Sequence, residues 1–150
     1  MEHIFNTTHG FRVLAVDDDP DILEFIKICL EDGMEVITLE DGNLALNHLN
    51  FIEPDLLILD SQMPVISGLE FCTHFRNNEQ YKNTPVIMLS VMDSLKDIAD
   101  GYKHGATLYL TKPIEPESLR KNVELELFKL GGPQTKQKTL QELTNILNLF

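Results

Sequence analysis

The 150-residue sequence predicts an α/β fold: a five-stranded parallel sheet with helices on both faces. Three observations carry that expectation. Short unbroken apolar runs, best seen at Leu56–Leu59, suit strands buried on both faces, and Pro54 and Pro64 leave little room for a buried helix there. Longer stretches with apolar residues at helical spacing alternate with these runs. Capping and breaking residues punctuate the boundaries.

In chain order, Val13-Leu14-Ala15-Val16 is the core of a first strand over Arg12–Val16, and Asp17-Asp18-Asp19-Pro20 follows it. Asp19 as N-cap with Pro20 at the first helical position starts a helix, whose face is Ile22, Leu23, Phe25, Ile26 and Leu30. Asp32-Gly33 stops it, and Met34–Leu39 alternates as a strand. Asp41-Gly42 opens a short helix carrying Leu44, Ala45 and Leu49. The Leu56–Leu59 strand ends in Asp60, and Ser67-Gly68 begins a helix with Leu69, Phe71, Cys72 and Phe75. Pro85–Leu89 is a fourth strand ending at Ser90, and Ser94–His104 a helix closed by Gly105. Leu108-Tyr109-Leu110 is a short fifth strand leading to Thr111-Lys112-Pro113. Glu115-Pro116 starts a last helix running to about Leu130, where Gly131-Gly132-Pro133 breaks it.

Composition narrows the function. Apolar content of 43% and charged content of 24% are ordinary for a globular chain. A net charge of -12 argues against nucleic acid as a direct partner and suits a bound cation or a cationic partner surface. Cys29 and Cys72 form no paired motif, which fits buried thiols in a cytoplasmic protein. No secretory signal and no membrane-spanning run is expected, and the five histidines show no zinc-ligand spacing.

The strand ends share one edge of a parallel sheet, which is where ligands of open α/β sheets bind. Asp17 and Asp18 follow the first strand, Asp60 the third, Ser90 the fourth and Lys112 the fifth. Crowded carboxylates raise one another's pKa, and a hard divalent cation relieves the repulsion. A lysine beside them adds a second positive charge, so the cluster suits Mg²⁺ and a phosphoryl group.

These residues resemble the response-regulator receiver domain of two-component signalling. The resemblance rests on Asp17-Asp18, on Asp60 followed by Met63-Pro64 and Gly68, and on Ser90, Tyr109 and Lys112-Pro113, over roughly Arg12 to Leu130. It implies a flavodoxin-like strand order 2-1-3-4-5 and a cis Lys112-Pro113 bond. It implies that Asp60 accepts the phosphoryl group, and that Asp17, Asp18, Asp60 and the Gln62 backbone carbonyl hold Mg²⁺. It implies that Lys112 pairs with Asp60, that Ser90 and the Val91 backbone N–H contact the phosphoryl group, and that Tyr109 turns inward on phosphorylation. The donor implied is a histidine kinase or a histidine phosphotransfer protein. Val91 and Ile114 depart from the commonest residues at their positions, and Met92 cannot orient a hydrolytic water by hydrogen bonding.

Two rival readings are an aspartate-nucleophile phosphatase and a receiver-like binding module that takes no phosphate. The phosphatase signature needs a second Asp two residues after the nucleophile, and Gln62 stands there. The inert module usually lacks the acidic pair, the acceptor or the lysine, all of which are present. The expected organisation is an N-terminal arm over 1–11, a receiver over 12–130, and a linker with a short amphipathic helix over 131–150. No output domain is expected in about twenty residues after the last receiver helix. In that tail Leu140, Leu143, Leu147 and Phe150 follow seam spacing, with Ile146 and Leu149 widening the stripe. So short a helix must bury its stripe on its own receiver, a second copy or a partner. A dimerising appendage, or a segment of a longer protein, is expected ahead of self-docking. A homodimer through the face of the Ser94–His104 helix and the helix from Glu115 is the other expected self-association.

Overall fold

The computed structural model describes residues 10–134 and 136–150. Its strands are β1 (Arg12–Val16), β2 (Glu35–Leu39), β3 (Leu56–Leu59), β4 (Val86–Ser90) and β5 (Leu108–Thr111). Its helices are α1 (Pro20–Leu30), α2 (Gly42–Asn47), α3 (Leu49–Ile52), α4 (Gly68–Asn77), α5 (Leu95–Lys103), α6 (Pro116–Phe128) and α7 (Leu140–Leu147). The strands pair in parallel in the order β2-β1-β3-β4-β5. β1, β3 and β4 are buried at every position, which is why they read as apolar runs and not as alternation.

Side chains still alternate between two cores. Val13, Ala15 and Ile58 pack under α1 and α6, with Leu23, Ile26, Leu119 and Val123. Leu14, Val16 and Leu57 face the opposite way, toward Ala45, Phe71 and Phe75. Every Cα register is in step, so all five strand ends arrive at one edge.

The helix expected after Asp41-Gly42 is broken in two at His48. Its ring Nδ1 lies 2.8 Å from the Leu44 carbonyl oxygen, and its backbone N–H bonds Ala45 instead. That local competition ends α2, and α3 restarts directly after it. A 3₁₀ turn at Glu79–Tyr81, absent from the sequence reading, seats Tyr81 against Phe75 with its hydroxyl donating to the Leu49 carbonyl at 2.9 Å. Both cysteines are buried and free. No helix among the described residues is long and apolar enough to cross a membrane. Residues 1–9 of the expected N-terminal arm lie outside the described residues, whereas Phe11 is buried in the core.

The tail takes the self-docked arrangement, the one placed behind a dimerising appendage. α7 docks on its own receiver: Leu143 is fully buried in the α2–α4 core, and Leu140 and Leu147 pack against it. A capping box holds the helix start, with Thr139 and Glu142 each accepting the other's backbone N–H. The reason for docking lies at the amino end of β1. Arg12 is fully buried, and its guanidinium reaches Glu35 at 2.8 Å, the Ile52 carbonyl at 2.7 Å and the tail carbonyl of Lys138 at 2.7 Å. Lys136 adds an ion pair to Asp55 at 2.6 Å. A buried cation needs all of its hydrogen bonds, and the tail supplies one of them. The Leu140, Leu143 and Leu147 part of the stripe is therefore covered within the chain, while Leu149 and Phe150 at its end stay exposed.

Candidate functional site

The site is built where β1, β3, β4 and β5 end. After Val16 the chain leaves the sheet with Asp17 almost wholly buried and Asp18 exposed. Asp17 Oδ1 accepts the Asp19 N–H at 2.9 Å, and Asp19 in turn caps α1 through the Asp21 N–H. The helix start thus fixes the Asp17 rotamer. Asp60, 8% exposed, leaves β3 beside it. One carboxylate oxygen from each of Asp17, Asp18 and Asp60 lies within 4.8 Å of the others.

Lys112 follows β5 across a cis bond to Pro113. Its ammonium sits 2.7 Å from Asp17 Oδ2 and 3.8 Å from Asp60 Oδ1. Lys112 thus pairs with Asp60 as expected, but its closer partner is Asp17. Asp17 is the more buried, and its other oxygen is already taken, so its second oxygen draws the cation. Asp60 has the Gln62 backbone N–H instead. Burial, and then the neighbouring Asp17 carboxylate, push Asp60 up to about 6, against the pull of Lys112 and the Gln62 N–H.

The loop after Asp60 closes tightly. The Gly68 N–H donates to the Ser61 carbonyl at 2.9 Å, and a Cβ at Gly68 would stand 1.8 Å from the Asp60 carbonyl oxygen. Only glycine fits, which explains the spacing from Asp60 to Gly68. Val65 sits in the same loop at φ +71°, 90% exposed, at the centre of a tight turn closed by Ile66 N–H to Pro64 carbonyl at 2.8 Å. A β-branched residue there is strained. Ile66, buried against the core, helps to hold it.

On the β4 side Ser90 is fully buried. Its Oγ accepts the Met92 N–H at 3.1 Å and lies 2.6 Å from Ser61 Oγ. Val91 follows with its side chain exposed. Tyr109 is already turned inward, 8% exposed, donating its hydroxyl to the Met92 carbonyl at 2.6 Å. Gly101 makes that position available, since a Cβ there would lie 2.6 Å from the tyrosine ring. The resemblance implies this inward position for the phosphorylated form, and the glycine notch on α5 is what gives the ring room there. Sequence reasoning missed Ser61, Gly101 and the Met92 backbone. A polar residue directly after a strand-end Asp was the one visible signal for Ser61.

Among the sequence-selected residues, Asp17, Asp18, Asp60 and Lys112 converge on one acidic cluster, and Ser90 and Tyr109 meet at Met92. The donor set fits a hard divalent ion such as Mg²⁺, because three carboxylates stand against one lysine.

Comparison with known proteins agrees with this geometry. Residues 13–124 match the response regulator receiver domain. The chain is similar to protein PilG of Pseudomonas aeruginosa, 39% identical over 111 residues, covering 73% of this chain and 82% of PilG. It is also similar to the phosphate regulon transcriptional regulatory protein PhoB of Escherichia coli, 36% identical over 72% of this chain and 48% of PhoB. The chain thus spans about half the length of PhoB. The chemotaxis response regulator CheY4 of Vibrio cholerae superposes with a TM-score of 0.73 at 39% identity, covering 77% of this chain and 98% of CheY4. The carboxyl-edge acidic cluster, the strand order and the match over residues 13–124 together make this chain a member of the response regulator receiver domain family of two-component signalling.

Proposed function

We propose that the chain is a phosphorylation-activated switch that accepts a phosphoryl group on Asp60 from a histidine kinase or histidine phosphotransfer protein. The observation that carries this reading is the buried Asp60 carboxylate set among Asp17, Asp18 and Lys112 at the open edge of the sheet. An Asp60 oxygen forms the new P–O bond while the donor's P–N bond breaks and its electron pair returns to the imidazole. Phosphoryl transfer asks the protein mainly for alignment and for neutralised oxygen charge. Lys112 supplies a mobile cation, 3.8 Å from Asp60 before transfer. Ser90 supplies a hydroxyl and Val91 a backbone N–H. Asp17, Asp18, Asp60 and the Gln62 carbonyl would hold Mg²⁺, which when bound neutralises charge on the transferring group.

We take residues 12–130 as the signalling unit and 131–150 as a linker and docked helix. The net charge of -12 favours protein partners over nucleic acid, and a cytoplasmic setting suits two free buried thiols.

Incubation with Mg²⁺ and acetyl phosphate, followed by intact mass measurement, tests the reading. A gain of one phosphoryl group, absent in Asp60→Asn, is expected. Sustained phosphate release from many monoesters would instead indicate a phosphatase. No mass gain would indicate a binding module. Millimolar Mg²⁺ alone should raise the thermal midpoint by mass action, and Asp18→Ala should blunt that rise.

A further inference from the structure

We propose that Ser61 is a positioning residue that holds the Ser90 hydroxyl in competition with a phosphoryl oxygen on Asp60; the inference rests on the phosphoacceptor reading above. Strand register brings the two serines together. Leu59 is level with Met88 in the parallel β3–β4 pair, so two residues further on Ser61 is level with Ser90. Their hydroxyl oxygens are 2.6 Å apart, with Ser61 5% and Ser90 0% exposed. Ser61 is itself held, because its carbonyl accepts the Gly68 N–H at a position where no side chain fits.

A serine hydroxyl has one proton to donate. Ser90 Oγ already accepts the Met92 N–H at 3.1 Å. Either hydroxyl of the pair can donate at this distance; we assign the proton to Ser90, whose remaining need is an acceptor, with Ser61 Oγ the oxygen in place. Among the described residues no buried side-chain polar atom lacks a partner. When Ser90 turns to a phosphoryl oxygen it exchanges Ser61 for that oxygen. The resting bond therefore opposes engagement, and Ser61 sets how strongly. Met92 also accepts the Tyr109 hydroxyl through its carbonyl, so one backbone residue touches both Ser90 and Tyr109.

Removing Ser61 Oγ leaves a fully buried hydroxyl proton without a partner in the resting state and takes nothing from the engaged one. An unsatisfied buried donor is costly, so the balance shifts toward engagement by about tenfold. The test is the affinity of the full chain for beryllofluoride in Mg²⁺, by calorimetry. Ser61→Ala should bind about tenfold more tightly than wild type, and Ser61→Thr, which keeps the hydroxyl, should match wild type. In a Ser90→Ala background the further change Ser61→Ala should alter nothing. Unchanged or weaker binding in Ser61→Ala overturns the proposal, as does an equal gain in the Ser90→Ala background. If the alanine variant fails to fold, Ser61→Cys, a weaker hydrogen-bonding group of similar size, carries the same expectation in smaller measure. Wild type that binds no beryllofluoride would refute the phosphoacceptor reading as well; wild-type binding with an indifferent Ser61→Ala refutes Ser61 alone.

Discussion

The Lys112 ammonium is 2.7 Å from Asp17 Oδ2, more than an ångström closer than it is to Asp60 at 3.8 Å. The site's cation is thus seated on the carboxylate next to the acceptor. Both partners are nearly buried, at 11% and 4% side-chain exposure. Lys112→Met would leave Asp17 buried against Asp60 with no cation between them. We expect it to destabilise the fold by about 3 kcal/mol in metal-free buffer. Saturating Mg²⁺ should recover much of that loss. Chemical denaturation with and without Mg²⁺ measures both, and a variant as stable as wild type without metal would contradict the pairing.

Asp60 is pushed up to about 6, chiefly by burial. A carboxyl raised above its unfolded value binds its proton more tightly when folded. Its contribution to stability is therefore fully present below about pH 4 and is lost as pH rises through about 6. At about 1.4 kcal/mol per pH unit this is worth about 2–3 kcal/mol. Asp60→Asn removes the titration, so without metal it should be more stable than wild type at neutral pH and lose that advantage near pH 4. Denaturation midpoints of both proteins across pH 4–8 give the difference curve. A flat difference would contradict the raised value.

Gly101→Ala should expel the Tyr109 ring, since the new methyl would meet it at 2.6 Å. The hydroxyl bond to Met92 goes with it. We expect about 1–3 kcal/mol of destabilisation. Tyr109→Ala should make the same substitution nearly neutral, because the clash is then gone. Thermal melts of the two singles and the double decide this, and additive effects would place the cost of Gly101→Ala elsewhere on α5.

For the tail, Leu143→Ala should cost about 2–4 kcal/mol, as expected for a leucine buried in a packed core. Deleting residues from Gly131 onward should lower stability further, because it removes the buried Leu143 side chain and the Lys138 carbonyl that Arg12 uses. Phosphorylation of Asp60 should survive both changes. Light scattering should find the full and truncated chains equally monomeric. A full chain at twice its monomer mass that becomes monomeric on truncation would support the dimer reading.

Local sequence signals determined most of the fold. Apolar runs, Pro-marked helix starts and Gly stops located all five strands, and the chemistry of Asp17, Asp18, Asp60 and Lys112 was legible because parallel strands must deliver their ends to one edge. The strand order came from resemblance, since periodicity carries no information about which strand lies beside which. Tertiary structure alone decided the finer choices. Lys112 prefers Asp17 because burial, which a sequence does not display, makes that carboxylate the needier. Ser61 meets Ser90 because of β3–β4 register. Tyr109 lies inward because a glycine on a separate helix leaves it room. The α7 stripe was plain in the sequence but its destination was not, because an amphipathic helix specifies that it must be covered and not by what. The buried Arg12, 126 residues from Lys138 along the chain, answers that question through a contact that only the folded chain creates.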